Sequence, residues 1–153
     1  MSEEGLKIRG MYRVQIEEDG SIVGDSGWKE NQVVNLGFNW YLAGSLGAIV
    51  NSSQVSYMAL GTGAAPAAAD TALAGEVSQR TGVTAATSAD SKAVRFTATF
   101  ASVGSFVLGN SDISNIGLHR SAAAGTLFAG AAYASSTVAT NQNVNCTYDV
   151  SFS

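Results

Sequence analysis

Cysteine, histidine and proline each occur once in these 153 residues, and each shortage closes off a class of protein. A lone cysteine, Cys146, cannot form an intrachain disulfide, so nothing covalent staples the fold. One cysteine and one histidine leave a zinc site short of the three or four ligands it needs. His119 is the sole imidazole available as a general base, and a cation beside it, Arg120, lowers its basicity. Long apolar runs are also missing. The most apolar region, residues 40–50, is broken by Gly44, Ser45 and Gly47, far short of the roughly 20 residues a membrane span requires. The opening MSEEGLKIRG is charged and has no apolar stretch of signal-peptide length. Synthesis in the cytoplasm as a water-soluble chain, with no membrane partner, is the expectation.

Charge is scarce as well. Asp, Glu, Lys and Arg make up 13% of the chain, against about 25% in typical soluble proteins. Eleven of the 20 charged residues fall in residues 1–30, and none lies in 31–69 or 121–148. Those neutral stretches are rich in Ala, Gly, Ser, Thr, Asn and Val. Aromatic and β-branched residues recur in regular patterns throughout, so the chain is not disordered. A surface this poor in charge is a solubility risk for a free monomer. Burial against other copies or a larger assembly answers that risk, since interface centres are depleted in charge. The net charge of −4 and only eight Lys and Arg argue against a phosphate-tracking surface, so no nucleic-acid partner is expected.

What is present is strand periodicity. Ile8, Gly10, Tyr12, Val14 and Ile16 alternate with Arg9, Met11, Arg13, Gln15 and Glu17, the pattern of a half-buried strand. Asp19-Gly20 supplies the residues a tight hairpin turn favours, and residues 21–28 return, giving an N-terminal hairpin over 7–28. Val34, Phe38 and Leu42 recur at helical spacing. One short helix near residues 35–46 is therefore expected, with Asn35 as N-cap and Gly44 or Gly47 as terminator. A strand at 55–60 leads into GTGAAPAAADTALAGEV, where residues 67–75 form either a helical turn opened by Asp70 or an extended loop. Further strands follow at 76–87, 92–100, 105–108, 113–119, 126–134 and 144–152. About eight short strands with turns every 8–15 residues specify an all-β fold. The expected architecture is a single domain, 1–153, built as an antiparallel β-sandwich with jelly-roll-like winding.

The residues that could carry chemistry have plainer roles. Cys146 sits in an alternating run and reads as a small buried apolar residue. Paired carboxylates could be drawn from Asp70, Glu76, Asp90, Asp112 and Asp149, yet none is flanked by the aromatics that line a sugar cleft. Asp70 reads as a turn residue. Gly61-Thr62-Gly63 lacks the further glycines and lysine of a phosphate loop, and its glycines permit a tight chain path instead. Asn51-Ser-Ser and Asn145-Cys-Thr match glycosylation acceptors but mean nothing without secretion. Trp28, Trp40, Tyr57 and Tyr133 are expected in the core. No catalytic, cofactor-binding or metal-ligating residue is expected, and the chain is read as a non-enzyme whose function lies in its surfaces. The neutral strand near 126–134 is the edge most in need of a neighbouring subunit.

Three passages resemble small structural proteins of tailed-bacteriophage particles: KIRGMYRVQIEEDGSIVGDSGWKENQVVNLGFNWYL, SYMALGTGAAPAAADTALAGEVSQR and ISNIGLHRSAAAGTLFAGAAYASSTVATNQNVNCTYDVSFS. The likeness runs from Lys7 to Ser153. It implies a virion protein with a β-sandwich or jelly-roll core and no activity, synthesised in the bacterial host cytoplasm. Within that group a capsid decoration (cement) protein is the leading expectation. It would be a homotrimer bridging subunits of the major capsid protein. A tail or tail-fibre component contacting neighbouring tail proteins is the alternative, and a receptor- or carbohydrate-binding module of the same fold is the second.

Overall fold

The computed structural model describes residues 7–43, 46, 54–77, 79–87 and 92–152, with the side chains of Trp40 and Ser135 excepted. Eleven strands lie among them: β1 (Ile8–Glu18), β2 (Ser21–Asp25), β3 (Lys29–Glu30), β4 (Gln32–Val33), β5 (Tyr57–Gly61), β6 (Thr81–Gly82), β7 (Thr84–Ala86), β8 (Ala93–Phe100), β9 (Ser111–His119), β10 (Leu127–Val138) and β11 (Asn143–Phe152). They form two antiparallel sheets. Sheet one runs β2-β1-β11-β8-β7, with β3 also pairing β1, and sheet two runs β4-β10-β9-β5-β6. The chain crosses from one sheet to the other between β3 and β4, β6 and β7, β8 and β9, and β10 and β11. The result is the all-β sandwich the sequence specifies, wound as a roll.

Alternation sets which side chains the sheets share. Across sheet one, Tyr12 faces Tyr148 and then Phe96, Val14 faces Cys146 and Ala98, and Ile16 faces Val144 and Phe100. All nine are buried in the central core. Sheet two contributes Met58, Leu60, Ile116 and Leu118 from the opposite side. Each large apolar side chain buried here stabilises the fold by roughly 1.5–3 kcal/mol. The β1–β2 turn takes its expected form. Asp19 at φ 50° and Gly20 at φ 80° supply the two positive φ angles the tight turn requires.

Four expectations need correction. Residues 76–87 are not one strand. β6 pairs β5 in sheet two, β7 pairs β8 in sheet one, and the chain changes sheets at Val83, whose N–H donates to the Ser56 carbonyl. Residues 105–108 are not a strand either. A 3-10 turn over Ser102–Gly104 and a left-handed Ser105 fold Phe106 and Val107 back as a plug over the core. The helix is a π-type stretch, Gly37–Ala43, preceded by helical residues 35 and 36. Asn35 therefore lies inside the helical segment rather than capping it, and its N–H donates to the Ala68 carbonyl. The proposed terminators Gly44 and Gly47 lie outside the described residues. Finally β2 stops at Asp25, which leaves Trp28 beyond it, 41% exposed rather than in the core.

Candidate functional site

The outer face of sheet two is covered by the chain itself. From Gly61 the segment 62–75 runs across it as a strap rather than a helix. Its single turn is closed by Asp70, whose carboxylate accepts the Ala67 N–H at 2.8 Å. Leu73 is buried beneath it with Val34, Ala59 and Leu127, a small second core on the far side of the sheet. The strap lies so close that a Cβ on Gly130 would stand 2.7 Å from the Ile116 carbonyl oxygen and 3.0 Å from Pro66. Asn115, fully buried, donates from Nδ2 to the carbonyls of Ala64 and Ala74 and fastens the strap at two points. The glycine-rich passage thus serves a tight chain path. Its outward surface, residues 62–75 apart from Gly63, Pro66 and Leu73, is exposed and carries one charge, Asp70.

Behind the strap lies the most buried polar cluster. The Arg80 side chain is 4% exposed. It forks onto Glu76 at 3.0 and 3.1 Å and donates to the carbonyls of Ser121 at 2.9 Å and Ala124 at 2.7 Å. One guanidinium therefore ties the end of the strap to the β9–β10 loop. His119 is completely buried beside it. Its Nδ1 lies 3.4 Å from the Thr126 hydroxyl, and its Nε2, 3.5 Å from Glu76, makes no hydrogen bond. Burial, and secondarily the Arg80 cation, push its pKa down to about 3, so the imidazole is neutral. The depressing cation is Arg80, not the adjacent Arg120. Arg80 carried no role in the sequence reading. The available signal was an isolated Glu-x-x-x-Arg pair in an otherwise neutral region.

The remaining candidates are dispersed. Asp112 accepts from the Thr137 hydroxyl, Asp149 is paired with Arg95, Glu76 belongs to the Arg80 cluster, and Asp90 lies outside the described residues, as does Asn51. Cys146 is buried in the central core, where desolvation raises its thiol pKa far above the ordinary range. Tyr133 packs 5.9 Å from Tyr12, and Tyr57 is half-buried on β5. Trp28 stacks on Arg95, whose guanidinium stands 5.6 Å from the ring centroid. No helix among the described residues is long and apolar enough to cross a membrane.

The two ends of the sandwich differ. One end is formed where β1 turns into β2, β8 leads to β9 and β10 turns into β11. Ile22, Val23, Val103 and Leu108 protrude there, the last two at 93% and 85% exposure. Glu17, Glu18, Asp19 and Asp112 are at the same end, and residues 14–28 hold no cation nearer the turn than Arg13's neighbour strand, while 96–119 and 121–148 hold none at all. Three of the carboxylates are bonded only by neutral donors: Asn145 to Glu17, Asn141 to Glu18 and Thr137 to Asp112. The opposite end carries Lys7, Arg9, Lys92 and Arg120 at strand termini. It also opens into an apolar cavity of about 350 Å³ lined chiefly by Tyr41, Leu42, Val55, Phe96, Phe128 and Phe152.

These features define an antiparallel β-sandwich with a self-covered sheet and two unlike ends. Comparison with protein-family models, with curated proteins and with solved structures finds no match.

Proposed function

We propose that this chain is a structural protein of a bacteriophage particle, working by association with copies of itself and with the shell as a capsid decoration protein. The observation that carries the reading is the exposed strap: an outward surface of small neutral side chains with a single carboxylate, a composition that interface centres favour and free surfaces seldom keep. The passages that resemble phage proteins fall on the strap, on β9 and on the closing β10–β11 pair. A protein that binds only the assembled lattice shifts assembly by mass action, and repetition over many sites multiplies modest contacts. No step of bond chemistry is assigned to it.

The test is made on particles. Particles purified from cells carrying the intact gene should contain the protein at a fixed ratio to the shell protein. Particles from a deletion strain should release their genome at lower temperature or salt stress. Absence of the protein from purified particles would overturn the reading. A location in the tail would move it to the tail-component alternative. One observation favours a receptor- or carbohydrate-binding module: Trp28 is an exposed planar aromatic held in place by Arg95. Saturable glycan binding lost in Trp28→Ala would support that second role.

A further inference from the structure

We infer that copies of this chain associate head to tail, the aliphatic acidic end of one sandwich docking on the basic, cavity-bearing end of the next. This rests on the reading that the protein works by self-association, and names the surfaces that do it. Four large apolar side chains, Ile22, Val23, Val103 and Leu108, project from one end. Side chains 85–93% exposed are well beyond what packing within the fold requires, and apolar groups gathered at one end mark an interaction surface. Around them Glu17, Glu18, Asp19 and Asp112 have no cationic partner among the described residues.

A like end cannot be the occupant, since two such ends would set four carboxylates against four. The opposite end fits on both counts. It presents Lys7 and Lys92, exposed at the starts of β1 and β8, and an apolar cavity of about 350 Å³. That volume lies in the range that accepts a few aliphatic side chains. Contact between unlike surfaces is heterologous, so it closes into a ring or continues as a filament according to the rotation between neighbours.

Charge reversal tests this with two full-length variants. Glu18→Lys with Asp112→Lys reverses one end; Lys7→Glu with Lys92→Glu reverses the other. Each alone should weaken self-association by roughly tenfold or more, because both of its ends then carry one sign. An equimolar mixture should restore it, since each variant end then meets its complement. Sedimentation velocity reads the association, and circular dichroism melting confirms that both variants fold. Because all four positions are exposed or half-buried, a folding failure is not the expected outcome; Val103→Ser with Leu108→Ser offers a second, uncharged route to the same loss. Unchanged association in all variants, or a mixture that fails to recover, would overturn the head-to-tail contact while leaving the particle experiment to judge the functional proposal. A wild-type protein that stays monomeric at high micromolar concentration would also overturn it.

Discussion

Replacing Arg80 with alanine leaves Glu76 without its cation and strips two loop carbonyls of their donors in a nearly dry site. The cost should be about 2–4 kcal/mol, read from urea unfolding. Arg80→Lys should recover only part of it, because a single ammonium cannot reproduce the fork onto Glu76 together with the two carbonyl bonds. His119 gives a pH signature. Its folded pKa, about 3, lies below the ordinary 6.5, so the unfolded chain takes up a proton that the folded one refuses. Its contribution is complete above about pH 6.5 and is lost as pH falls toward about 3, with a slope of at most about 1.4 kcal/mol per pH unit. Unfolding titrations between pH 7 and 4.5 should show this slope in the wild type and its flattening in His119→Gln. Asp25, whose pKa is lowered first by its hydrogen bond from Arg13, acts below that window and only weakly, because the pair is exposed to solvent.

At the scale of elements, the strap is the testable unit. Leu73→Ala empties the small core beneath it and should cost about 2–5 kcal/mol. It should also open the strap to proteolysis before global unfolding. Gly130→Ala drives a methyl into the Ile116 carbonyl and Pro66 and should cost about 1–3 kcal/mol. Gly109→Ala, with open space around it, should change stability by less than about 0.5 kcal/mol. The long strands β1, β8, β9 and β11 were legible because period two with one buried face leaves a direct trace in sequence. The sheet change at Val83 was not, since both halves of residues 76–87 are extended and nothing local says which sheet each joins. The plug at Phe106 and Val107 looked like a strand for a similar reason: two buried apolar residues carry no period. Gly61 and Gly63 announced a close path, yet what they approach depends on residues distant in the chain. Arg80 was overlooked because its partners, apart from Glu76, are backbone carbonyls, which sequence does not display.

For the molecule as a whole, connectivity governs behaviour. β1 pairs β11 from Ile8↔Phe152 to Glu17↔Asn143, and β11 pairs β8 on its other side. A variant lacking residues 143–152 should therefore fail to form sheet one, seen as loss of the cooperative melting transition. Contacts this distant in sequence also imply slow folding, in milliseconds to seconds or longer, measurable by stopped-flow refolding. The unlike ends carry their own expectation at this scale. Self-association should weaken as salt is raised toward about 1 M, where the screening length falls to about 3 Å.

The position of β11 also bears on how the chain is born. At synthesis rates of about 5–20 residues per second, β1 leaves the ribosome on the order of ten seconds before the strand that belongs beside it. Throughout that interval β1 and β8 hold bare facing edges inside a half-made sheet. The nascent polypeptide then depends on a chaperone's shelter, or on quick translation, to keep those edges from finding the wrong neighbour.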